Sequence, residues 1–313
     1  MKKAFKLIGI IALVAVIGSS FVACGLSDDG RINGGSGNNG SSGNGGSSNS
    51  NGSYESGFTT ISAFAVWLNA QPNNTVSTAY TVKLNVSVLE GIKDPLIENR
   101  NKYVSLDLSS STFTSIGGFA FSVCTSLTSI IIPNSVTSIG GNAFNGCTSL
   151  TKVTIGNSVT NIDGEVFKNC RNLTSVTIGN SVTRIGSHSF EGCTSLTNVT
   201  IPDSVIIIGE STFSGCASLT RVNIPNNVTR IEQFTFQFCA SLTSVTVPNS
   251  VTSICIWAFF GCSGLTSVTF EGTISSSSFE STAFAGNDLR EKYLAGGPGT
   301  YIRVSESSWT KQP

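Results

Sequence analysis

Seven cysteines, Cys124, Cys147, Cys170, Cys193, Cys216, Cys239 and Cys262, follow one another at intervals of 23 residues without a gap. A phenylalanine stands three residues before each, from Phe121 to Phe259, and a leucine three residues after each, from Leu127 to Leu265. Further apolar columns keep the same frame: Val153, Val176 and Val199, then Ile155, Ile178 and Ile201, then Val159 and Val182, then Ile162 and Ile185. A period of this length leaves few folds open, because self-similarity at 20 to 50 residues is the mark of stacked repeats. Within a unit, Leu150-x-x-Val153-x-Ile155 gives a short strand with alternate side chains turned inward. Pro or Gly (Pro133, Gly156, Gly179, Pro202) then ends the strand, and the Asn or Asp that follows suits a turn. Val159-x-x-Ile162 starts a second extended stretch, and Ala143-Phe144 marks a tight bend or a turn of helix. One unit cannot bury its own apolar edge, so units must stack at about 4.8 Å into a parallel solenoid.

The L-x-x-V-x-I strand and the 23-residue period resemble the leucine-rich repeat superfamily. The Pro-x-x-Val-x-x-Ile continuation and the Ala-Phe pair point to its BspA-like (treponemal-type) branch. Ordinary leucine-rich repeats carry Asn or Cys just after the strand, whereas here Pro or Gly and a short Asn-Ser turn take that place. The resemblance implies a leucine-rich repeat solenoid of short parallel strands and short turn or helical segments, capped at both ends. Repeats are expected over 103–286, with an N-terminal cap over 54–102 and a C-terminal cap over 287–313.

The N-terminal region reads differently. Lys2, Lys3 and Lys6 precede an apolar run from Leu7 to Ile17 that is too short to span a bilayer, which reads as a signal peptide over 1–23. Its end, "FVAC", resembles a bacterial lipobox with phenylalanine where leucine is usual, and implies lipidation of Cys24. The Gly/Ser/Asn-rich stretch over 24–53 reads as a flexible tether, with a reach of roughly 30 Å. In the N-terminal cap, Ile61, Phe64, Ala65 and Leu68 have helical spacing stopped by Pro72; Tyr80 to Val88 alternate as a strand; a short helix is expected over 95–102. The first repeat strand, Tyr103-x-x-Leu106-x-Leu108, stands one residue out of frame. The last unit is stretched by two residues, with Asn287 in the cysteine's place, and a helix over 288–295, a "GGPG" turn and a closing strand over 301–304 are expected after it.

The cysteine column raises the question of chemistry. A disulfide ladder is disfavoured, because seven is odd and a 4.8 Å stack exceeds the usual Cβ separation of about 3.5–4.5 Å. No C-x-x-C pair occurs and His188 is the sole histidine, so no zinc site is read. The column is therefore read as a small hydrophobe filling a bend. Cys255 stands in another column, with Asp163 and Glu232, that tolerates charge; a free surface thiol, an intermolecular crosslink and a buried variant all remain open for it. His188 shares its column with Phe119, Asn142, Glu165, Ser211, Phe234 and Trp257, read as a variable surface position. No nucleophile, base, metal or phosphate-loop constellation emerges, so no enzyme and no cofactor are expected. Lys plus Arg equals Asp plus Glu at 18 each, and a chain beginning at Cys24 has 15 basic against 18 acidic side chains. That balance, without a basic cluster, argues against nucleic acid as a partner.

Two surfaces remain. Thr151, Thr174, Thr197, Thr220, Thr243 and Thr266 form one ladder beside the strand, either for strand propensity or as a hydrogen-bonding face for a protein or glycan. Phe234, Phe238, Trp257 and Phe260 replace residues that are small or polar in most other repeats, forming either a partner-binding patch or a surface covered by the C-terminal cap. The resemblance implies a lipid-anchored outer-membrane protein, exposed at the cell surface and adhering to host matrix proteins, host cells or other bacteria. The alternative is a periplasm-facing structural or assembly component of the envelope.

Overall fold

The computed structural model describes residues 53–284 and 286–313. The expected signal peptide, Cys24 and the tether as far as residue 52 lie outside the described residues. Each repeat makes one coil with three sides. The first side carries the strand read from Leu-x-x-Val-x-Ile: Lys152–Thr154 pairs in parallel between Leu127–Ile131 and Ser175–Thr177, with Ser129, Lys152 and Ser175 in register. The second side carries two-residue strands such as Asn161–Ile162, which pairs with Ser138–Ile139 and Arg184–Ile185. Between the two sides the Val205 amide donates to the Pro202 carbonyl at 3.0 Å, and Val159 to Gly156 at 3.3 Å. The Pro-x-x-Val spacing thus encodes an i→i+3 turn.

The third side is the bend after Ile162, and it is itself a ladder. Alternate amides donate to the next coil, Phe121 to Ala143 and Val123 to Asn145 at 2.7 Å each, and so on to Phe236 with Ala258 and Phe238 with Phe260. Regular hydrogen bonding of a bend was not legible from composition; no run of helix forms there.

Inside, the ladders of Leu, Val, Ile, Phe and Cys are buried. Phe121, Phe144, Phe167, Phe190, Phe213, Phe236, Phe259 and Phe284 stack in one column, with ring centroids 4.6 to 5.6 Å apart. Each buried ring contributes about 2–3 kcal/mol of apolar transfer, which no isolated unit could gain.

The second side is interrupted once. The amides of Thr160 and Asp163 donate to Thr137 and Ile139 at 2.9 and 3.0 Å. The equivalent bonds from Thr229 to Ile206 and from Glu232 to Ile208 are absent among the described residues, and pairing resumes at Arg230–Ile231.

At the N-terminal end a strand not read in the sequence, Ser53–Phe58, pairs in parallel with Tyr80–Leu84, which pairs with Val104–Asp107. The helix Ile61–Ala70 is capped by Thr60, whose hydroxyl accepts from the Ala63 amide, and it buries Phe64 and Leu68. The alternation from Tyr80 to Val88 does not all become strand. Pairing stops at Leu84, because the Val86 amide turns to the Ser111 hydroxyl at 3.1 Å and Val88 faces solvent. The second helix runs over Lys93–Glu98, earlier than expected, with Pro95 inside its first turn where no amide is needed. The frame slip of the first repeat appears as a bulge: Val104 pairs with Leu127, but Ser105 with Ser129.

At the other end, Phe279 bridges to Ile254 and Phe284 stacks on Phe259, each 25 residues on, which accommodates the stretched unit. The helix Leu289–Gly296 follows, then Gly299–Arg303 pairs antiparallel with Ser267–Phe270 and covers that sheet edge. A final strand, Trp309–Lys311, was not anticipated.

Candidate functional site

The repeat cysteines fill the bend and also bond across it. Each thiol from Cys147 to Cys262 donates to the carbonyl of a phenylalanine in the preceding coil, as Cys147 to Phe121 at 2.9 Å and Cys193 to Phe167 at 3.1 Å. The same carbonyls accept the amide three residues on, Cys170 to Phe167 at 3.1 Å for example. Phe-x-x-Cys is therefore a turn whose carbonyl takes two donors, and the column serves as more than a spacer. Burial pushes every one of these thiols up, Cys170 and Cys262 to about 12, so none is an activated nucleophile. Among the described residues all eight cysteines are free and buried, and no group of three or more His, Cys, Asp or Glu is placed to hold a metal.

Cys255, whose column suggested exposure, is only 5% exposed. Its sulfur lies 3.8 Å from Glu232 Oε2, beneath a pair in which Arg230 Nε meets Glu232 Oε1 at 3.1 Å. Burial raises its pKa, against the opposing pull of Arg230. His188 is half-buried, with Nδ1 2.6 Å from Glu191 Oε2, and Lys168 Nζ reaches the same carboxylate at 3.1 Å. That trio joins a histidine hydrogen bond to a Lys168–Glu191 ion pair at the surface, without a nucleophile.

The threonine ladder proves largely self-engaged. The hydroxyls of Thr151, Thr174, Thr197, Thr220, Thr243 and Thr266 each donate to the threonine carbonyl of the preceding coil at 2.9 to 3.4 Å. Their protons stitch coils together and are not offered to a ligand.

The bend side differs. Phe119, Asn142, Glu165, His188, Ser211, Phe234 and Trp257 all have φ between 54° and 61°. The column four residues on is left-handed as well: Val123, Asn169 and Phe238 at 56° to 60°, Gly146, Gly192, Gly215 and Gly261 at 71° to 77°. Glycine and asparagine suit such positions, whereas a bulky side chain there costs about 1–2 kcal/mol. Phe234, Phe238 and Trp257 nevertheless occupy them.

These three, with Phe260, form one patch. Phe234 and Trp257 are 5.5 Å apart, Trp257 and Phe260 6.0 Å, Phe260 and Phe238 5.5 Å. Phe238 is 51% and Trp257 39% exposed, while Phe234 and Phe260 are half-buried, so the C-terminal cap leaves the patch open. Phe238 rests on Gly261, where an added Cβ would stand 2.4 Å from the ring. Phe119 and Val123 occupy the same two columns at the first coil and are also exposed; the sequence reading placed Phe119 on a surface column but did not single out Val123 or set either beside the aromatic patch.

This architecture has a match among protein families. A model described as the BspA type leucine-rich repeat region matches residues 76–174 and 161–291, in six copies. The chain belongs to the BspA-type leucine-rich repeat family. Among solved structures, a leucine-rich repeat protein of T. pallidum is 30% identical, with TM-score 0.49, over 52% of this chain and 78% of that one. A leucine-rich repeat protein from Bacteroides ovatus is 33% identical, with TM-score 0.49, over 51% of this chain and 41% of that one. This chain therefore spans less than half the length of the Bacteroides protein. None of the curated proteins matches it. Membership of this BspA-type repeat family supports a protein-interaction role.

Proposed function

We propose that this BspA-type repeat protein is a lipid-anchored adhesin of the cell surface, binding a partner without chemistry. The observation that carries the reading is the open patch of Phe234, Phe238, Trp257 and Phe260, the first three of which stand on left-handed backbone that local preference would fill with Gly or Asn. The left-handed backbone is common to every coil and does not call for aromatic side chains, and exposed clustered rings are what binding surfaces use. The lipobox-like "FVAC" supports acylation of Cys24, and the Gly/Ser/Asn-rich stretch behind it suits a tether to the membrane. The partners this reading names are host matrix proteins, host cells or other bacteria.

Protease treatment of intact cells tests the location: the repeat domain is digested if it faces outward and survives until the outer membrane is broken if it faces the periplasm. Incorporation of a labelled fatty acid, lost in Cys24→Ser, tests the anchor. Saturable binding to immobilised matrix proteins tests adhesion, and the absence of binding to matrix proteins, host cells and other bacteria alike ends the reading.

A further inference from the structure

We propose that the solenoid folds as two cooperative blocks that meet at a weak joint, between the coil of Ile206 to Ile208 and the coil of Thr229 to Glu232. In a stack of repeats, stability is close to a sum of single-unit terms and nearest-neighbour interface terms. Such an array divides where one interface is poorer than the others. Here both strand sides weaken at the same place.

On the first side, three residues pair between Lys152–Thr154 and Ser175–Thr177, and four between Ser244–Val247 and Ser267–Phe270. Between those stretches a single bridge joins Thr177 to Thr200, and the strands shrink to Asn198–Val199 and Arg221–Val222. The Ile201 amide and carbonyl turn to the Asn223 side chain at 3.0 and 2.7 Å, whereas Ile155 donates to the main chain of the next coil, at Thr177, at 2.9 Å. The core beneath is less sealed: Val176, Ile178, Val222 and Ile224 are 6 to 9% exposed, against 0 to 2% for Val153 and Ile155. On the second side the ladder breaks between Ile207–Ile208 and Arg230–Ile231, and a cleft lined by Ile207, Ile208, Gly209, Thr229, Arg230 and Glu232 opens along the break. The phenylalanine column is widest there too, at 5.6 Å from Phe213 to Phe236, against 5.4 Å or less elsewhere. The bend carries its ladder through unbroken, with Phe213 donating to Thr235 at 2.8 Å and Gly215 to Gln237 at 2.7 Å.

The sequence supplies a cause at the corner between the two strand sides. Gly156 and Gly179 hold that corner in the earlier coils, where an added Cβ would come within 2.5 Å of a carbonyl oxygen of the coil before. Pro202, Pro225 and Pro248 take the same column in the later coils, and each carries the Cβ and ring that so close an approach excludes. At the joint Pro225 follows Pro202, so neither neighbour offers a glycine. Pro248 follows Pro225 in turn and shares the thinned first side, where Arg221 alone pairs with Ser244. The second side nevertheless holds there, with Thr252 donating to Thr229 at 2.9 Å and Cys255 to Ile231 at 3.0 Å. Among the described coils, the first side is thin over three interfaces, and the second side is broken at one of them. That interface places Cys216 at the end of one block and Cys239 at the start of the next. Phe234, Phe238, Trp257 and Phe260 all lie in the second block, so the exposed ring patch folds as part of one unit.

The test follows the buried thiols of the full chain. After equilibration at each urea concentration, a short pulse of iodoacetamide labels exposed cysteines, and mass spectrometry reads each of the eight by itself. Two variants each perturb one block: Val153→Ala in the first and Val268→Ala in the second, both at fully buried positions and both mild enough to keep the fold. In Val153→Ala the midpoints of the column from Cys124 to Cys216 should fall by about 0.5 M urea, and those of Cys239, Cys255 and Cys262 by less than half as much. Val268→Ala should do the reverse. Equal shifts at all eight thiols, a smooth decline along the chain, or a step anywhere other than between Cys216 and Cys239 overturns the joint.

Discussion

Replacing Cys193 by alanine separates packing from chemistry in the cysteine column. The site has no solvent exposure, so the substitution deletes one sulfur from a filled bend. Lost transfer of a methylene-sized group is worth about 0.8 kcal/mol. A residual void of roughly 20 Å³ adds about 0.5 kcal/mol. The lost S–H bond to the Phe167 carbonyl adds about 0.5 kcal/mol more, at the low end because that carbonyl keeps the Cys170 amide at 3.1 Å. The expected cost at pH 7 is therefore about 2 kcal/mol. At pH 10 it shrinks. Burial holds the folded thiol's pKa well above the ordinary 9.0, so above pH 9 the unfolded chain sheds a proton that the folded chain keeps. Wild-type stability then falls as pH rises, by about 1.4 kcal/mol at pH 10 for this one thiol, and the alanine variant is spared that loss. All other thiols are common to both proteins and cancel in the comparison. Urea unfolding followed by circular dichroism at pH 7 and pH 10 reads both numbers. A cost below about 0.5 kcal/mol at pH 7, or a gap unchanged at pH 10, refutes the account of Cys193 as a buried, protonated packing group.

Three other substitutions probe different parts of the coil. Phe190→Ala should cost about 3–5 kcal/mol, because the ring is stacked between Phe167 and Phe213 at 5.3 and 5.4 Å with no route for collapse; a urea midpoint near wild type would contradict the stacked core. Phe238→Gly should leave stability within about 1 kcal/mol of wild type, since relief of the left-handed strain offsets the packing lost over Gly261. A loss as large as that for Phe190 would show that the ring is a core element. Ile206→Thr places a hydroxyl where Thr183 and Thr160 donate to the preceding coil at 3.1 and 3.2 Å, and should gain about 0.5 kcal/mol; a lower urea midpoint would show that the interrupted ladder does not depend on this position.

The period carried most of the fold. Once Leu150, Val153 and Ile155 are set in one frame, stacking in register follows, because any slip would misalign every buried column at once. Even the exceptions were legible where they broke the count: the extra residue became a bulge at Thr128, before Ile130, and the two added before Phe284 were absorbed without breaking the phenylalanine stack. Segments outside the frame were less legible. Ser53–Phe58 adjoins a Gly/Ser/Asn tract that hides it, and Trp309–Lys311 is too short for alternation to show.

The bend side shows why the candidate site was visible as an anomaly while its cost was not. Seven coils give the same left-handed φ at the column of Trp257, yet that column holds Phe, Asn, Glu, His, Ser, Phe and Trp, in which only asparagine and histidine advertise the conformation. The backbone there is dictated by the amide ladder to the next coil, in which Phe234 donates to Ile256 and Phe236 to Ala258, and not by the side chain. Tertiary stacking therefore overrides local preference in every coil, and the chain can place any residue at that column for about the same 1–2 kcal/mol. A stack of seven coils with a continuous core tolerates such a cost several times over, which a short isolated turn could not. The solenoid thereby supplies a row of outward positions whose identity is free of folding constraint, and the aromatic residues at Phe119, Phe234 and Trp257 are choices that folding does not require. That is the physical reason to look for function there and not among the invariant columns of Phe, Cys and Leu.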